Sequence, residues 1–340
     1  MHLDSVQRTV LVTGGAGYIG SHVVRLLLRR GVRVLVVDDL STGDPRRVVG
    51  VPFVRLDLSG PDARDRLVAA MLEHAVDGVM HFAAMKQVGE SIDAPTRYFD
   101  RNVGGLTNLL AAMESTRTTR LVFSSSAAVY GEPATTLVRE DEPRRPVNPY
   151  GQTKLVGEWM IENAAAAWGL RAANLRYFNV AGAGWSDLAD SSVTNLVPIV
   201  IAAVRAGRAT TVFGGDWDTP DGSCVRDYIH VLDLARAHLA ALDFLRASAP
   251  AAYAVNLGTG GGASVLDVVR AVAAVSGTEP HVELAPRRPG DPAAVVADPT
   301  LANTLLGWHA ERSVADIVES AWSACSAAEQ GAVDCPENAA

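Results

Sequence analysis

The chain reads as an α/β protein built on a doubly wound parallel sheet, and three observations predict it. Short Val/Leu-rich runs alternate with longer helical stretches through the first half. A glycine turn, Thr13-Gly-Gly-Ala-Gly-Tyr-Ile-Gly20, joins the first run to the first helical stretch. An acidic pair, Asp38-Asp39, closes the second run. Continuously apolar runs belong to strands buried on both faces, and long connections are what parallel strands need.

Candidate strands are Thr9–Thr13, Val34–Asp38, Phe53–Asp57, Gly78–Phe82, Arg120–Ser124 and Arg171–Tyr177. The helices between them fall near Tyr18–Arg29, Asp62–His74, Pro95–Ser115 and Tyr150–Trp168. After Phe178 the rhythm loosens, with Gly, Asp and Pro gathered in Gly182–Thr194 and Gly214–Gly222. A further strand is expected at Tyr253–Leu257. Beyond it, Ser264 stands to cap a helix with Val265, Leu266, Val268, Val269 and Val272 on its apolar face. The expected division is a dinucleotide-binding domain over 1–178 with a returning segment near 228–260, and a smaller, interwoven lobe over 179–330. A disordered tail over 331–340 is expected, with fraying from about Ala324.

Composition excludes several classes. With 340 residues, 48% hydrophobic and 20% charged, the chain can bury a large core. A net charge of −8 gives no basic footprint for nucleic acid. No apolar run approaches the roughly 18–20 residues that span a membrane. Cys224, Cys325 and Cys335 are odd in number and the eight histidines form no ligand pair, so no metal site is expected. Those thiols, and an N-terminus without a charged-then-apolar leader, suit a cytoplasmic protein.

Gly14, Gly17 and Gly20 follow a strand and open a helix, the order in which backbone N–H groups cradle a pyrophosphate. Asp38, eighteen residues beyond Gly20, stands where a carboxylate accepts ribose hydroxyls and repels a 2′-phosphate, so NAD is favoured over NADP. Asp57 ends the third strand and is read either as an adenine contact or as a turn former. Tyr150 and Lys154 lie one turn apart on a helix face. Only about one free tyrosine in a thousand is phenolate at neutral pH. A fixed ammonium beside it favours the anion and makes the phenol a usable base.

A nucleotide cradle of Rossmann type with a tyrosine and lysine so spaced resembles the extended short-chain dehydrogenase/reductases. That resemblance implies a third group from the end of the fifth strand. In Phe123-Ser-Ser-Ser-Ala-Ala-Val-Tyr-Gly131 it is Ser126, with Ser125 as runner-up. Further blocks are His81-Phe-Ala-Ala-Met-Lys-Gln-Val-Gly-Glu-Ser91, Leu175-Arg-Tyr-Phe-Asn179, Val225-Arg-Asp-Tyr-Ile-His230 and Ala285-Pro-Arg-Arg-Pro-Gly-Asp291. From about residue 8 to 322 they stand in an order similar to that of UDP-glucose 4-epimerases.

The resemblance implies an NAD pocket of Tyr18, Ile19, Asp39, Leu40, Ser41, Thr42, Gly43, Leu58, Phe82, Ala83, Ala84, Lys86, Asn102, Ser124 and Tyr177, with Asp38, Asp57, Tyr150 and Lys154. It implies UDP-sugar contacts from Lys86, Ser126, Tyr150, Phe178, Asn179, Asn195, Leu196, Thr211, Val212, Phe213, Arg226, Arg288, Asp291 and Val295. Two arginines suit a diphosphate. Two departures stand out. The Gly182–Thr194 loop is shorter than in many relatives, and Arg101 replaces an asparagine before Asn102.

The implied reaction is epimerisation at C4 of a UDP-hexose through a 4-keto sugar, without net redox change. Tyr150 handles the O4 proton, its pKa lowered by Lys154 and the nicotinamide charge. A 4,6-dehydratase would carry an acidic pair where Ala127 and Ala128 stand, and related decarboxylases a glutamate nearby. A UDP-glucuronate epimerase and a non-catalytic NAD-sensing protein remain as alternatives. Small Val295 implies turnover of UDP-N-acetylhexosamines as well, with an ordinary strand valine as the other reading. The resemblance also implies a homodimer joined through Pro95–Ser115 and Tyr150–Trp168.

Overall fold

The computed structural model describes residues 9–333 except 191, 193 and 289, with side chains described as far as 326. Seven strands form the main sheet: β1 (Thr9–Thr13), β2 (Arg33–Asp38), β3 (Phe53–Arg55), β4 (Val76–His81), β5 (Arg120–Ser124), β6 (Arg171–Tyr177) and β7 (Ala251–Leu257). Their spatial order is β7-β6-β5-β4-β1-β2-β3, and every pair runs parallel. The order reverses between β1 and β4, which opens a crevice above the carboxyl ends of the strands.

Alternate residues of each strand feed two cores. Val10, Val12, Val34, Val36, Met80 and Val122 pack under helix α1 (Tyr18–Arg29) and the later helix Val231–Phe244. Leu11, Leu35, Val37, Val79, Leu121 and Phe123 face α2 (Ala63–Glu73), α3 (Gly105–Thr116) and α4 (Pro149–Trp168). Burial on both faces explains why these strands read as continuous apolar runs.

Three of the boundaries that differ from the sequence expectation have a clear physical reason. β3 stops at Arg55 because Asp57 turns the chain, its Oδ1 accepting from the Ser59 amide and hydroxyl. The helix expected over Pro95–Ser115 is interrupted by a π-helical stretch, Phe99–Gly104, before α3 begins. There the Asn102 amide is drawn to the Met85 backbone, accepting from its N–H and donating to its carbonyl. The last helix runs Val314–Val333 instead of fraying from Ala324, because Ala324 is buried and Ala321, Trp322 and Cys325 pack on the lobe core. The rest of the tail expected as disordered, including Cys335, lies outside the described residues.

That lobe core joins Val197, Val200 and Ile201 to Val268, Val269, Val272, Ile317 and Val318. The helix Val265–Ser276 is capped by Ser264, as the sequence suggested, and Asp267 completes a capping box with it. Short strands extend the lobe: Thr210–Phe213 pairs with Val282–Ala285, and Val225–Arg226 with Ala294–Ala297. Among the described residues no helix is long and apolar enough to cross a membrane.

Candidate active site

The glycine turn sits at the carboxyl end of β1. Gly20 has no room for a side chain, since a Cβ there would stand 2.2 Å from the Gly14 carbonyl oxygen. Gly17 caps α1 without a side-chain bond, and no acidic residue occupies the first turn. The first N–H groups of the helix therefore have no side-chain cap of their own, and a phosphate there would satisfy them. Asp38 is buried and accepts from the Ala16 amide at 3.0 Å and the Leu40 amide at 2.9 Å. Burial outweighs those two bonds and holds its carboxyl above the ordinary value. Leu40 takes a left-handed φ of 62°, and Gly43 packs against the same carboxylate.

Asp39 and Asp57 lie just beyond the ends of the neighbouring strands β2 and β3, and Arg101 from the π-helical stretch pairs with both. Ser41 donates to Asp39, Thr42 is exposed beside it, and Leu58 is buried against Gly105. The Phe82 amide bonds to the Thr13 carbonyl, bringing Phe82 and Ala83 against the glycine turn; Ala84 and Lys86 are exposed in the same loop. Tyr18 donates its hydroxyl to the Gly182 carbonyl at 2.5 Å, and Ile19 packs into the core. Asn102 directs its amide inward, to Met85 and to Thr153 on α4. It thus shapes the pocket loop rather than presenting a free group.

The candidate catalytic side chains Tyr150, Lys154 and Ser126 meet over β5. Asn148 caps α4 by accepting from the Gly151 amide, and Pro149 fills the first helical position. Gly151 lets the turn after β5 come close, because a Cβ there would lie 2.5 Å from the Ala128 carbonyl oxygen. That approach brings the Ser126 hydroxyl to the Tyr150 phenol, with the Ala128 amide donating to Ser126 at 3.1 Å. Ser125 faces the other way and donates to buried Glu158 at 2.5 Å, which separates it from the reacting pair.

Lys154 is buried, donates to the Ser124 carbonyl at 2.8 Å, and lies 5.9 Å from the Tyr150 ring centroid. Burial pulls its pKa down to about 8. The expected lowering of Tyr150 is not what the protein alone provides. Burial holds the phenol above its ordinary value, and the Ser126 bond only partly opposes it. The ammonium is itself desolvated, and it donates to the Ser124 carbonyl.

His238 lies beneath, against Phe82 and Tyr177 and within 3.2 Å of the Ser124 hydroxyl. His81 bonds Thr13 at 2.7 Å and stacks on Phe123. Burial takes them to about 4 and about 3, so both are neutral near pH 7. Burial, then neighbouring Tyr150, pushes the Tyr177 phenol up. Sequence reasoning missed both histidines, and Glu158 too, although Tyr150, Lys154 and Glu158 repeat every four residues along one helix face.

The substrate-side residues form two groups. Phe178 and Val295 pack with Ala127 on a cluster of Val129, Tyr130, Val138 and Leu155, beside the Ser126 turn. Arg226 reaches Asp291 at 3.3 Å, and Val295 is its partner in the neighbouring strand. The Arg288 guanidinium covers Phe213, 3.7 Å from the ring centroid. Thr211 shares the exposed face of its strand with Phe213, whereas the Val212 side chain is buried on the opposite face. Exposed Asn179 lies at the β6 end of the crevice. Asn195 starts the helix Leu196–Arg205 and donates to Asp190 at 3.1 Å.

Comparison with known proteins fits this geometry. UDP-glucose 4-epimerases of Streptomyces lividans and Halalkalibacterium halodurans are 46% and 43% identical, each covering 92% of this chain and 94% of their own. The crystal structure of UDP-glucose-4-epimerase from Stenotrophomonas maltophila, with bound NAD and formylated UDP-arabinopyranose, superposes with a TM-score of 0.91 at 41% identity, covering 95% of this chain and 99% of that one. The NAD dependent epimerase/dehydratase family matches residues 10–258, and this chain belongs to it.

Proposed function

We propose that this protein interconverts UDP-galactose and UDP-glucose by inverting C4, with NAD held throughout the cycle. The observation that carries the reading is the Tyr150–Ser126 contact beside Lys154, set between a nucleotide cradle and an arginine-bearing lobe. The cradle suits the dinucleotide: α1 has uncapped N–H groups for the diphosphate, and Asp38 stands one strand away for the adenosine ribose. When bound, the nicotinamide supplies a hydride acceptor at the sugar C4 and returns the hydride.

This chain's own residues do the rest. Ser126 hydrogen-bonds the sugar O4 and orients it toward Tyr150. Tyr150 takes the O4 proton as C4 is oxidised and gives it back as C4 is reduced. Lys154 holds the loop at Ser124 and adds positive charge beneath the phenol. Arg226 and Arg288 take the diphosphate and Phe213 the uracil, which anchors the UDP while leaving the hexose free to turn. Ala127 and Ala128 hold no proton to give, and Glu158 is engaged with Arg176, so elimination of water has no acid to drive it.

We also infer that 1–178, with 228–260 returning to it, binds NAD and that 179–330 binds the UDP-sugar. Val295 is small, so the same pocket should turn over UDP-N-acetylglucosamine. Exposed Phe99 and Trp159 favour a homodimer across the helices that follow Pro95 and Pro149, and sedimentation should read two chains. The free, buried thiol of Cys224 suits a cytoplasmic enzyme.

The test is to denature the purified protein and measure released NAD(H), then assay UDP-galactose, UDP-glucose, their N-acetyl forms and UDP-glucuronate side by side. About one NAD per chain is expected, with interconversion of both plain hexoses and some turnover of the acetylated pair. A cofactor-free protein that leaves UDP-galactose unchanged would sink the reading. Turnover of the glucuronate alone would move the activity to that sugar.

A further inference from the structure

One cation ties together the two strand ends that flank the adenosine end of the cradle. Asp39 follows β2 and Asp57 follows β3, and these strands are neighbours in the sheet. Each aspartate uses Oδ1 within its own turn, accepting from Ser41 and Ser59 respectively. Each turns Oδ2 outward, and Nη1 of Arg101 meets both: Asp57 in direct contact and Asp39 at 3.6 Å. Asp38, the other carboxylate there, is already committed to Ala16 and Leu40. Arg101 comes from the π-helical stretch, a rare conformation that accommodates one extra residue per turn and recurs at functional sites.

We propose that Arg101 is a positioning residue that latches the cofactor's adenosine in place, an inference that rests on NAD being the ligand of this cradle. A dinucleotide with its diphosphate on Gly14–Gly20 and its ribose at Asp38 must lay its adenine toward Asp57, along the line the ion pairs cross. The three side chains are about one-third exposed, at 35%, 32% and 40%. In water such pairs open readily and stabilise little. An adenine lying against them displaces water, lowers the local dielectric and strengthens both pairs. Coupling is reciprocal, so pairs strengthened by the cofactor hold the cofactor longer. With two carboxylates sharing its charge, Arg101 offers no net attraction to a 2′-phosphate.

The test is the rate at which bound NAD+ exchanges with radiolabelled NAD+ in wild type, Arg101→Ala and Arg101→Lys. Exchange should be about tenfold faster in the alanine variant and intermediate in the lysine variant, which keeps the charge but loses the planar fork. Salt should accelerate exchange in wild type and leave Arg101→Ala nearly unaffected, a difference that a merely structural role would not produce. Asp39→Asn combined with Asp57→Asn should reproduce the alanine rate, and adding Arg101→Ala to that pair should change nothing more. Exchange at the wild-type rate in Arg101→Ala, or salt-independent exchange in wild type, overturns the latch while leaving the cofactor assignment intact. A wild-type protein that neither carries nor binds NAD overturns both, and the released-nucleotide assay tells the two failures apart.

Discussion

Tyr150 is held by burial in its neutral form and bonded to Ser126, so the protein alone does not make it a strong base. Positive charge delivered with the cofactor has to complete the activation. Replacing Tyr150 with Phe should therefore cut kcat by about 10³-fold while leaving bound NAD in place, read by turnover and by released nucleotide. Ser126→Ala should cost a smaller factor in kcat, whereas Ser125→Ala should lower stability more than turnover because its hydroxyl serves Glu158. Tyr150, Lys154, Asp38 and the glycine turn were legible in the sequence because their chemistry lies in residue type and spacing. The choice of Ser126 over Ser125 came from the family resemblance and not from residue type or spacing. Two adjacent serines at a strand end point to opposite sides, and the structure gives the reason: Ser125 serves Glu158 while Ser126 meets the phenol. Arg101 appeared in the sequence only as a departure, since its partners come from two distant turns.

At the scale of elements, α4 carries more than the reacting pair. Glu158 lies wholly inside, bonded to Arg176 through both oxygens at 2.9 and 2.6 Å, and reached also by Ser125 and Arg144. Arg176 continues to Tyr130, whose hydroxyl donates to Asn256 on β7. This chain of bonds fastens α4 to β6, β7 and the Ser126 turn at once. Glu158→Gln leaves the buried guanidinium short of a counter-charge and should cost about 3 kcal/mol or more, measured by denaturant unfolding. A loss under 1 kcal/mol would mean that water reaches the site and screens it. Strand positions were legible from apolar runs, but this network was not, because buried polar groups leave no periodic mark. The π-helical interruption was equally hidden, since the Asn102–Met85 bonds that accompany it join residues far apart in the sequence.

For the whole molecule, four histidines set the acid limit. Burial takes His22, His230 and His238 down to about 4 and His81 to about 3 from an ordinary 6.5. Between about pH 6.5 and 4 the unfolded chain binds more protons at these sites than the folded one. Stability therefore rises with pH across that window and is lost on acidification through it. Thermal midpoints should fall steadily from pH 7 to pH 5, and His238→Gln should flatten the slope. An unchanged midpoint over that range would place these rings in contact with water. The layered α/β architecture was legible end to end, apart from the smaller lobe, where short irregular strands pair across long sequence distances and lack a local signature.

The seventh strand has a consequence for synthesis. β7 pairs with β6 along Ala251–Leu257, yet about seventy residues of chain separate the two. A ribosome-bound chain can set six strands in place while the backbone edge of β6 is still bare, and that edge closes only once residue 257 has emerged. Until then the growing protein exposes an unpaired strand edge of the kind on which neighbouring chains pair and aggregate. A chain cut after Phe178 keeps the glycine turn, Tyr150 and Lys154, but it keeps that open edge permanently.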